Sequence, residues 1–151
     1  MKRARSTWTS SFRFEKEVNG KITRYFYDGD SINPLYETDG SGNVLRQYVY
    51  SMAGVRLAMK AQGQTLFYHY NPSGDVVAMT DPNGQVVVNY EYDAWGNVLK
   101  SDAKGIAAEN PFGYAGYMYD KEIVMYGDRY WRHRNCSWII NSGIFHNDWK
   151  W

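Results

Sequence analysis

Cysteine is nearly absent: Cys136 is the only one in 151 residues, so no disulfide can close within the chain. A single thiol leaves the compartment open. Net charge is also missing. The 17 basic residues meet 16 acidic ones, for a formal +1, and no bulk field gathers nucleic acid or an anionic surface. No run approaches the ~18 apolar residues that a membrane helix requires. Met1-Lys2-Arg3-Ala4-Arg5 is basic, but residues 6–14 are too polar for the apolar stretch of a signal peptide. The chain as written is therefore expected to lack an export signal, with a cytoplasmic location if it is expressed so. No segment carries a convincing helical period, and residues 103–109 read as a turn or two at most. Neither recognised spacing of a glycine-rich phosphate loop is present.

Aromatics and glycine are abundant. Tyrosine occurs 14 times, tryptophan 6 and glycine 14, and aromatics make up 17% of the chain, which suits half-buried strands joined by many turns. The aromatics recur in pairs two residues apart: Tyr25/Tyr27, Tyr48/Tyr50, Tyr68/Tyr70, Tyr90/Tyr92 and Tyr117/Tyr119. Their first members are 23, 20, 22 and 27 residues apart, a period typical of stacked supersecondary units. In an extended strand both members of a pair face one side. Asp28, Ser51, Asn71, Asp93 and Asp120 follow the pairs.

A second signature interleaves with the first. Asp or Asn, two residues, Gly, a polar residue and two apolar ones begin at Asp39, Asn71, Asp81 and Asp93, with Gly42, Gly74, Gly84 and Gly96 in fourth place. An Asp or Asn at a turn start accepts an amide two residues on, and glycine takes the positive φ that reverses the chain. Asn19-Gly20 and Gln62-Gly63 read as tighter hairpin turns. The expected strands are 11–18, 21–27, 32–37, 43–50, 55–61, 64–70, 75–80, 85–92 and 97–100. Residues 110–113 read as a loop or strand entry. A lone hairpin is marginal in water, so these units must stack to bury their aromatic faces. The fold class is all-β, a succession of antiparallel hairpins.

These blocks resemble the YD repeat of the Rhs family. Tyr25-Phe26-Tyr27-Asp28-Gly29 and the run from Tyr90 to Leu99 are similar to that repeat. The run from Tyr68 to Asp81 resembles the family's "YYHxDxxGSVxALTD" segment. Asn110-Pro111-Phe112-Gly113-Tyr114-Ala115-Gly116-Tyr117-Met118-Tyr119-Asp120 resembles the "NPFRYAGYxYD" opening of the Rhs-associated core. The likeness covers roughly residues 20–122, in the family's order, and extends to the wall-associated proteins of Gram-positive bacteria. It implies a secreted polymorphic-toxin shell of β-hairpins, of the kind used in contact-dependent inhibition, that encloses or presents a C-terminal toxin. The rest of that shell and the toxin are the partners it implies. From Val124 the pattern departs. The Asp-Pro-x-x-Gly element of the family's self-cleaving end is replaced by Arg132-His133-Arg134-Asn135-Cys136-Ser137-Trp138. We expect a divergent tail, a frame-shifted or truncated reading of the core's end, with weak order after about Arg134 and no toxin following. Self-cleavage residues therefore do not carry over. The expected organisation is a partial repeat with an edge strand at 1–19, YD hairpins at 20–109, the opening of the core at 110–123 and the tail at 124–151.

No catalytic, cofactor or metal residue is expected. Asp28, Asp93 and Asp120 lack a second carboxylate at a fixed offset, and turn capping is the commoner use of such an Asp. Asp81-Pro82 sits where a type I turn wants Pro. His69 lies between two tyrosines and should face away from them. His133, Cys136 and His146 miss zinc-finger spacing, and Cys136 has no evident orienting partner for a nucleophile pair. Arg129, Arg132 and Arg134 among Trp131, Trp138 and Trp149 form too short a patch for nucleic acid. The tyrosines leave two readings. They pack hairpin on hairpin, or they stack on cell-wall glycans as a binding module. Because they recur with the repeat, packing is the stronger. The positions that define the repeat are Tyr25, Tyr27, Asp28, Tyr48, Tyr50, Tyr68, Tyr70, Gly74, Gly84, Tyr90, Tyr92, Asp93, Gly96, Tyr117, Tyr119 and Asp120. Phenols converging on one pocket beside an ionised partner would end the reading as a scaffold without a reactive centre.

Overall fold

The computed structural model describes residues 3–9, 12–120, 125–126 and 140–141, so most of the expected tail lies outside the described residues. The chain divides into two units, residues 1–43 with 129–151, and residues 44–128. The fold is all-β.

The first unit is an antiparallel meander of β1 (Arg3–Thr9), β2 (Phe12–Val18), β3 (Lys21–Tyr27) and β4 (Pro34–Asp39). A two-residue strand, Ile140–Asn141, pairs with the outer side of β1, placing Arg3 opposite Asn141. The strand at Arg3–Thr9 was not among those expected. Its sequence, RARSTWT, has no apolar alternation to announce it; its partner strands supply the ladder instead. The second unit is a meander of β5 (Val44–Tyr50), β6 (Arg56–Ala61), β7 (Gln64–Tyr70), β8 (Val76–Thr80), β9 (Val86–Tyr92) and β10 (Val98–Ser101). Beyond β10 come short 3-10 turns at Gly105–Glu109 and Tyr114–Gly116 and a pairing of Tyr119–Asp120 with Met125–Tyr126. No described helix is long and apolar enough to cross a membrane.

Two turn designs recur. Asn19-Gly20 and Gln62-Gly63 have positive φ at both residues (51° and 82°; 50° and 74°), the type I′ geometry that matches strand twist. The turns after β4, β5, β7, β8 and β9 share a second design. The amide of Asp39, Ser51, Asn71, Asp81 or Asp93 donates to the carbonyl four residues on, and the fourth-place glycine amide donates back. Asp93 Oδ1 accepts the Trp95 and Asn97 amides at 2.8 and 2.9 Å, and Asp39, Asn71 and Asp81 repeat this pattern. Ser51 stands in with a hydroxyl, accepting Val55 N at 3.1 Å. A search restricted to Asp and Asn passes over it.

A register slip follows these turns. Tyr50 pairs with Arg56 but Val49 with Ala58; Tyr70 with Val76 but His69 with Ala78; Tyr92 with Val98 but Glu91 with Lys100. One residue is thus extruded each time: Leu57, Val77 and Leu99; Val87 is extruded likewise opposite Met79 and Thr80, and Phe14 opposite Thr7 and Trp8. In the first unit Leu35 is extruded in the same way. Such bulges bend and twist the strand that carries them.

Hydrogen bonds from the Asn43 and Asn97 side chains, together with backbone amides, hold the Asp39 and Asp93 carboxyls below the usual carboxylate range. A lowered folded-state pKa means the stabilisation is complete above the unfolded value, about 3.9, and is lost as pH falls through the folded value. Asparagine already fills this role at Asn71. The double variant Asp39→Asn, Asp93→Asn should therefore fold and show a shallower loss of stability below about pH 4, measured by urea unfolding across pH.

Candidate functional site

The candidate site is the tyrosine face of the second unit, where inward residues of β5–β9 meet the segment 103–119. Tyr48, Met59, Leu66, Tyr68, Val76, Met79 and Val88 are buried there with Ile106, Ala107 and Phe112, and Tyr50, Tyr70 and Tyr90 pack around them. The Phe112 ring meets Tyr48 and Tyr68 edge-on at 5.1 and 6.4 Å, geometry that the aromatic quadrupole favours.

The segment 103–119 is strapped to the sheet by polar bonds as well as packing. Asn110 is buried and uses its whole amide. Its oxygen accepts Tyr68 Oη–H (2.9 Å) and Phe112 N–H (3.1 Å), while Nδ2 donates to Tyr90 Oη (3.1 Å) and the Phe112 carbonyl (2.7 Å). Glu109 Oε1 takes a bond from Gln62 at 2.8 Å, and its carbonyl takes one from Arg46 at 3.2 Å. Val76 N–H donates to the Gly113 carbonyl at 3.0 Å.

Asp75 makes a further link through an inversion of the turn chemistry. At Asp39/Asn43 and Asp93/Asn97 the carboxylate comes first and the amide fifth. At Asn71/Asp75 the order is swapped: Asn71 Nδ2 donates to Asp75 Oδ2 at 2.6 Å. The carboxylate then lies in fifth place, where its other oxygen accepts the Ala115 amide at 2.7 Å. Ala115 has a φ of 51°, a conformation that costs an alanine ~1–2 kcal/mol and that this bond offsets.

Arg56 is the charged residue at the centre. Only 5% exposed, it places its guanidinium 3.1 Å from the Phe112 ring centroid and 5.5–5.8 Å from those of Tyr48, Tyr50 and Tyr68. It donates to Tyr50 Oη and to the Gly116 carbonyl, both at 3.3 Å. Phenols thus do converge beside an ionised group. The space between them is filled by Phe112, and burial pushes the Tyr68 hydroxyl well above its ordinary pKa, with Tyr70 and Tyr90 raised for the same reason. Phenols raised in this way stay protonated near neutrality and are poor bases there. The cluster suits cation–π packing.

The remaining sequence-selected residues lie elsewhere. Tyr25 is buried in the first unit, and Tyr27 Oη–H donates to the Arg13 carbonyl at 2.8 Å. Asp28 is exposed in the loop before β4, its carbonyl accepting Ser31 N–H. Tyr92 flanks the strap, 6.0 Å from Tyr114. Tyr117 and Tyr119 are half-buried within the strap, and the Asp120 side chain lies outside the described residues. Gly74, Gly84 and Gly96 occupy their turns at φ of 87°, 81° and 86°. His69 faces away from the tyrosine cluster, exposed, with Nε2 2.9 Å from Thr80 Oγ1. No group of metal-ligating side chains is found among the described residues. His133, Cys136, His146 and the Arg129–Arg134 patch lie outside them. Arg56, Asp75 and Asn110 were not singled out as site residues. Their signals were an arginine at an inward strand position and an Asn/Asp pair in reverse order.

Over residues 11–142 the sequence matches the Teneurin YD-shell family. The chain belongs to that family. Its similar relatives include the tRNA nuclease WapA of Bacillus subtilis strain 168 (48% identical) and the tRNA3(Ser)-specific nuclease WapA of Bacillus spizizenii (46%), each over 125 residues. The tRNA(Glu)-specific nuclease WapA of Bacillus subtilis subsp. natto is 49% identical over 125 residues. These alignments cover 82% of this chain and 5% of each relative. The chain therefore spans about a twentieth of the length of the curated relatives it matches.

Two substitutions measure the strap. Asn110→Ala leaves Tyr68 and Phe112 short of partners in a buried site and should cost about 3 kcal/mol in urea unfolding. Gly96→Ala should cost more than Gly42→Ala. Both glycines have positive φ, but a Cβ on Gly96 would lie 2.8 Å from Tyr114 Cγ and Cδ1, whereas one on Gly42 meets nothing within 4 Å. The difference between them, about 1–3 kcal/mol, is the overpacking term.

Proposed function

We propose that this chain is a non-catalytic structural segment of a YD shell, whose parent protein encloses or presents a toxic C-terminal domain. The observation that carries the reading is the strap. The tyrosine face of the second unit is covered by residues 103–119, and its hydroxyls are engaged with Asn110, Arg56 and backbone carbonyls. A face built to stack on sugars keeps its rings open. The match to a shell family over most of the chain supports the same reading. The nuclease activity in the relatives' names belongs to proteins about twenty times the length of the aligned segment, and we assign it to parts of them other than that segment.

A glycan-binding role through tyrosines is the alternative, and sedimentation with purified Gram-positive cell wall separates the two. We expect the purified chain to stay in the supernatant and to leave a tRNA pool intact. Retention on cell wall that Tyr48→Phe or Tyr90→Phe reduces would transfer the assignment to binding. tRNA cleavage tracking with the chain through purification would transfer it to catalysis.

A further inference from the structure

We propose that Asn19 is a modification site, at which the folded chain deamidates through a cyclic imide, and that the isoaspartate formed there loosens the hairpin of β2 and β3. Asn19 and Asn83 are the two asparagines followed by glycine. Glycine matters because its amide nitrogen is the attacking group and no Cβ hinders the approach. Asn33, Asn71 and Asn110 precede proline, whose nitrogen carries no proton to lose.

The chemistry needs only the chain and water. The Gly20 nitrogen loses its proton and attacks Asn19 Cγ. The N–Cγ bond forms, the Cγ–Nδ2 bond breaks, and ammonia leaves. Water then opens the imide at either of its carbonyls, giving aspartate or isoaspartate. Nothing is oxidised or reduced.

The two sites share a dipeptide but not a turn. Both asparagines and both glycines are exposed, so access by water does not separate them. At Asn83 the turn occupies the nucleophile, because Gly84 N–H donates to the Asp81 carbonyl at 3.0 Å. Asp81 Oδ1 accepts the amides of Asn83 and Gln85 as well, both at 2.9 Å. All three peptide planes around that dipeptide are thus pinned to Asp81, and none can rotate toward the imide without breaking a bond. At Asn19 the closure passes around the dipeptide. Val18 pairs with Lys21, and a two-residue turn of this type bonds through those flanking residues, which leaves Gly20 N–H outside the ladder. The residue in Asp81's place is Glu17, a strand residue paired with Ile22. Asp81 is therefore a positioning residue that protects Asn83, and the tight turn has no counterpart to it.

The two products differ in what they do to the hairpin. Aspartate at position 19 tolerates the φ of 51° as asparagine does. Isoaspartate routes the main chain through Cβ and adds a methylene to the turn. Turn length fixes hairpin register, here Val18 with Lys21 and Glu17 with Ile22.

The test follows both asparagines by peptide mapping while the full chain is held at mildly alkaline pH in water carrying heavy oxygen. We expect Asn19 to convert about 3–10-fold faster than Asn83, the protection that one hydrogen bond confers. The product should carry heavy oxygen and be methylated by isoaspartyl methyltransferase. In urea the two rates should converge, and Asp81→Ala should raise the Asn83 rate while leaving that of Asn19 unchanged. The purified isoaspartate form should unfold at lower urea than the Asn19→Asp variant, which carries the same charge. Asn83 keeping pace with Asn19 in the folded chain, both sites silent until the chain unfolds, or an Asn83 rate unmoved by Asp81→Ala would overturn the proposal. So would an isoaspartate form as stable as Asn19→Asp.

Discussion

A phenol ring buried against a sheet needs an acceptor for its hydroxyl, and a regular β-ladder has none to spare because its carbonyls are already paired. This constraint shapes the whole chain. Outside the two tight hairpins, pairings slip by one residue just past the turn, and the carbonyl released there receives a hydroxyl from the next strand at Arg13, Arg56 and Val76. At Arg56 and Val76 a glycine turn positions the slip, and the slip provides the acceptor. The acceptor in turn lets tyrosine, with its large apolar area, serve as the repeating core residue. For Tyr68 a side chain substitutes, the Asn110 amide oxygen, whereas Tyr90 Oη–H donates to the Ala107 carbonyl of the strap and accepts from Asn110 Nδ2.

The local features were legible in the residues. Asp or Asn with glycine three places on marked four of the five turns of this design, and Asn19-Gly20 and Gln62-Gly63 marked the two tight ones, because turn chemistry is encoded within four or five neighbouring positions. Strand ends agreed to within one or two residues wherever a turn bounded them. The tertiary chemistry was less legible. Asn110 contacts Tyr68 and Tyr90, 42 and 20 residues away, and Asp75 reaches Ala115 across 40; no local pattern reports such partners. Arg56 looked like an ordinary strand cation, and its burial depends on Phe112 and Gly116 arriving from the strap. The strand at Arg3–Thr9 was silent for a third reason: its partners, not its own pattern, make it extended.

The strap also reconciles a buried charge with an apolar core. A lone guanidinium in such surroundings carries a heavy desolvation penalty. Here aromatic faces surround it, and the Gly116 carbonyl and Tyr50 hydroxyl accept its protons. An ionic group of this kind is compatible with few alternative packings, so it discriminates between placements of the strap more sharply than apolar contacts would. The swapped Asn71/Asp75 pair discriminates in the same way, since a carboxylate in first place would leave Ala115 N–H facing an amide in fifth.

The extruded residues Phe14, Leu35, Leu57, Val77, Val87 and Leu99 are all apolar, and each sits just beyond a reversal. An added residue on one strand of a pair makes that strand locally longer than its partner, and the ribbon must bow to absorb the excess. Because the excess recurs once per motif, bowing becomes a periodic property, inherited by any array that multiplies the motif. A wall of such ribbons would acquire its radius from the spacing of single apolar insertions, and lengthening the array would extend the arc without changing its curvature.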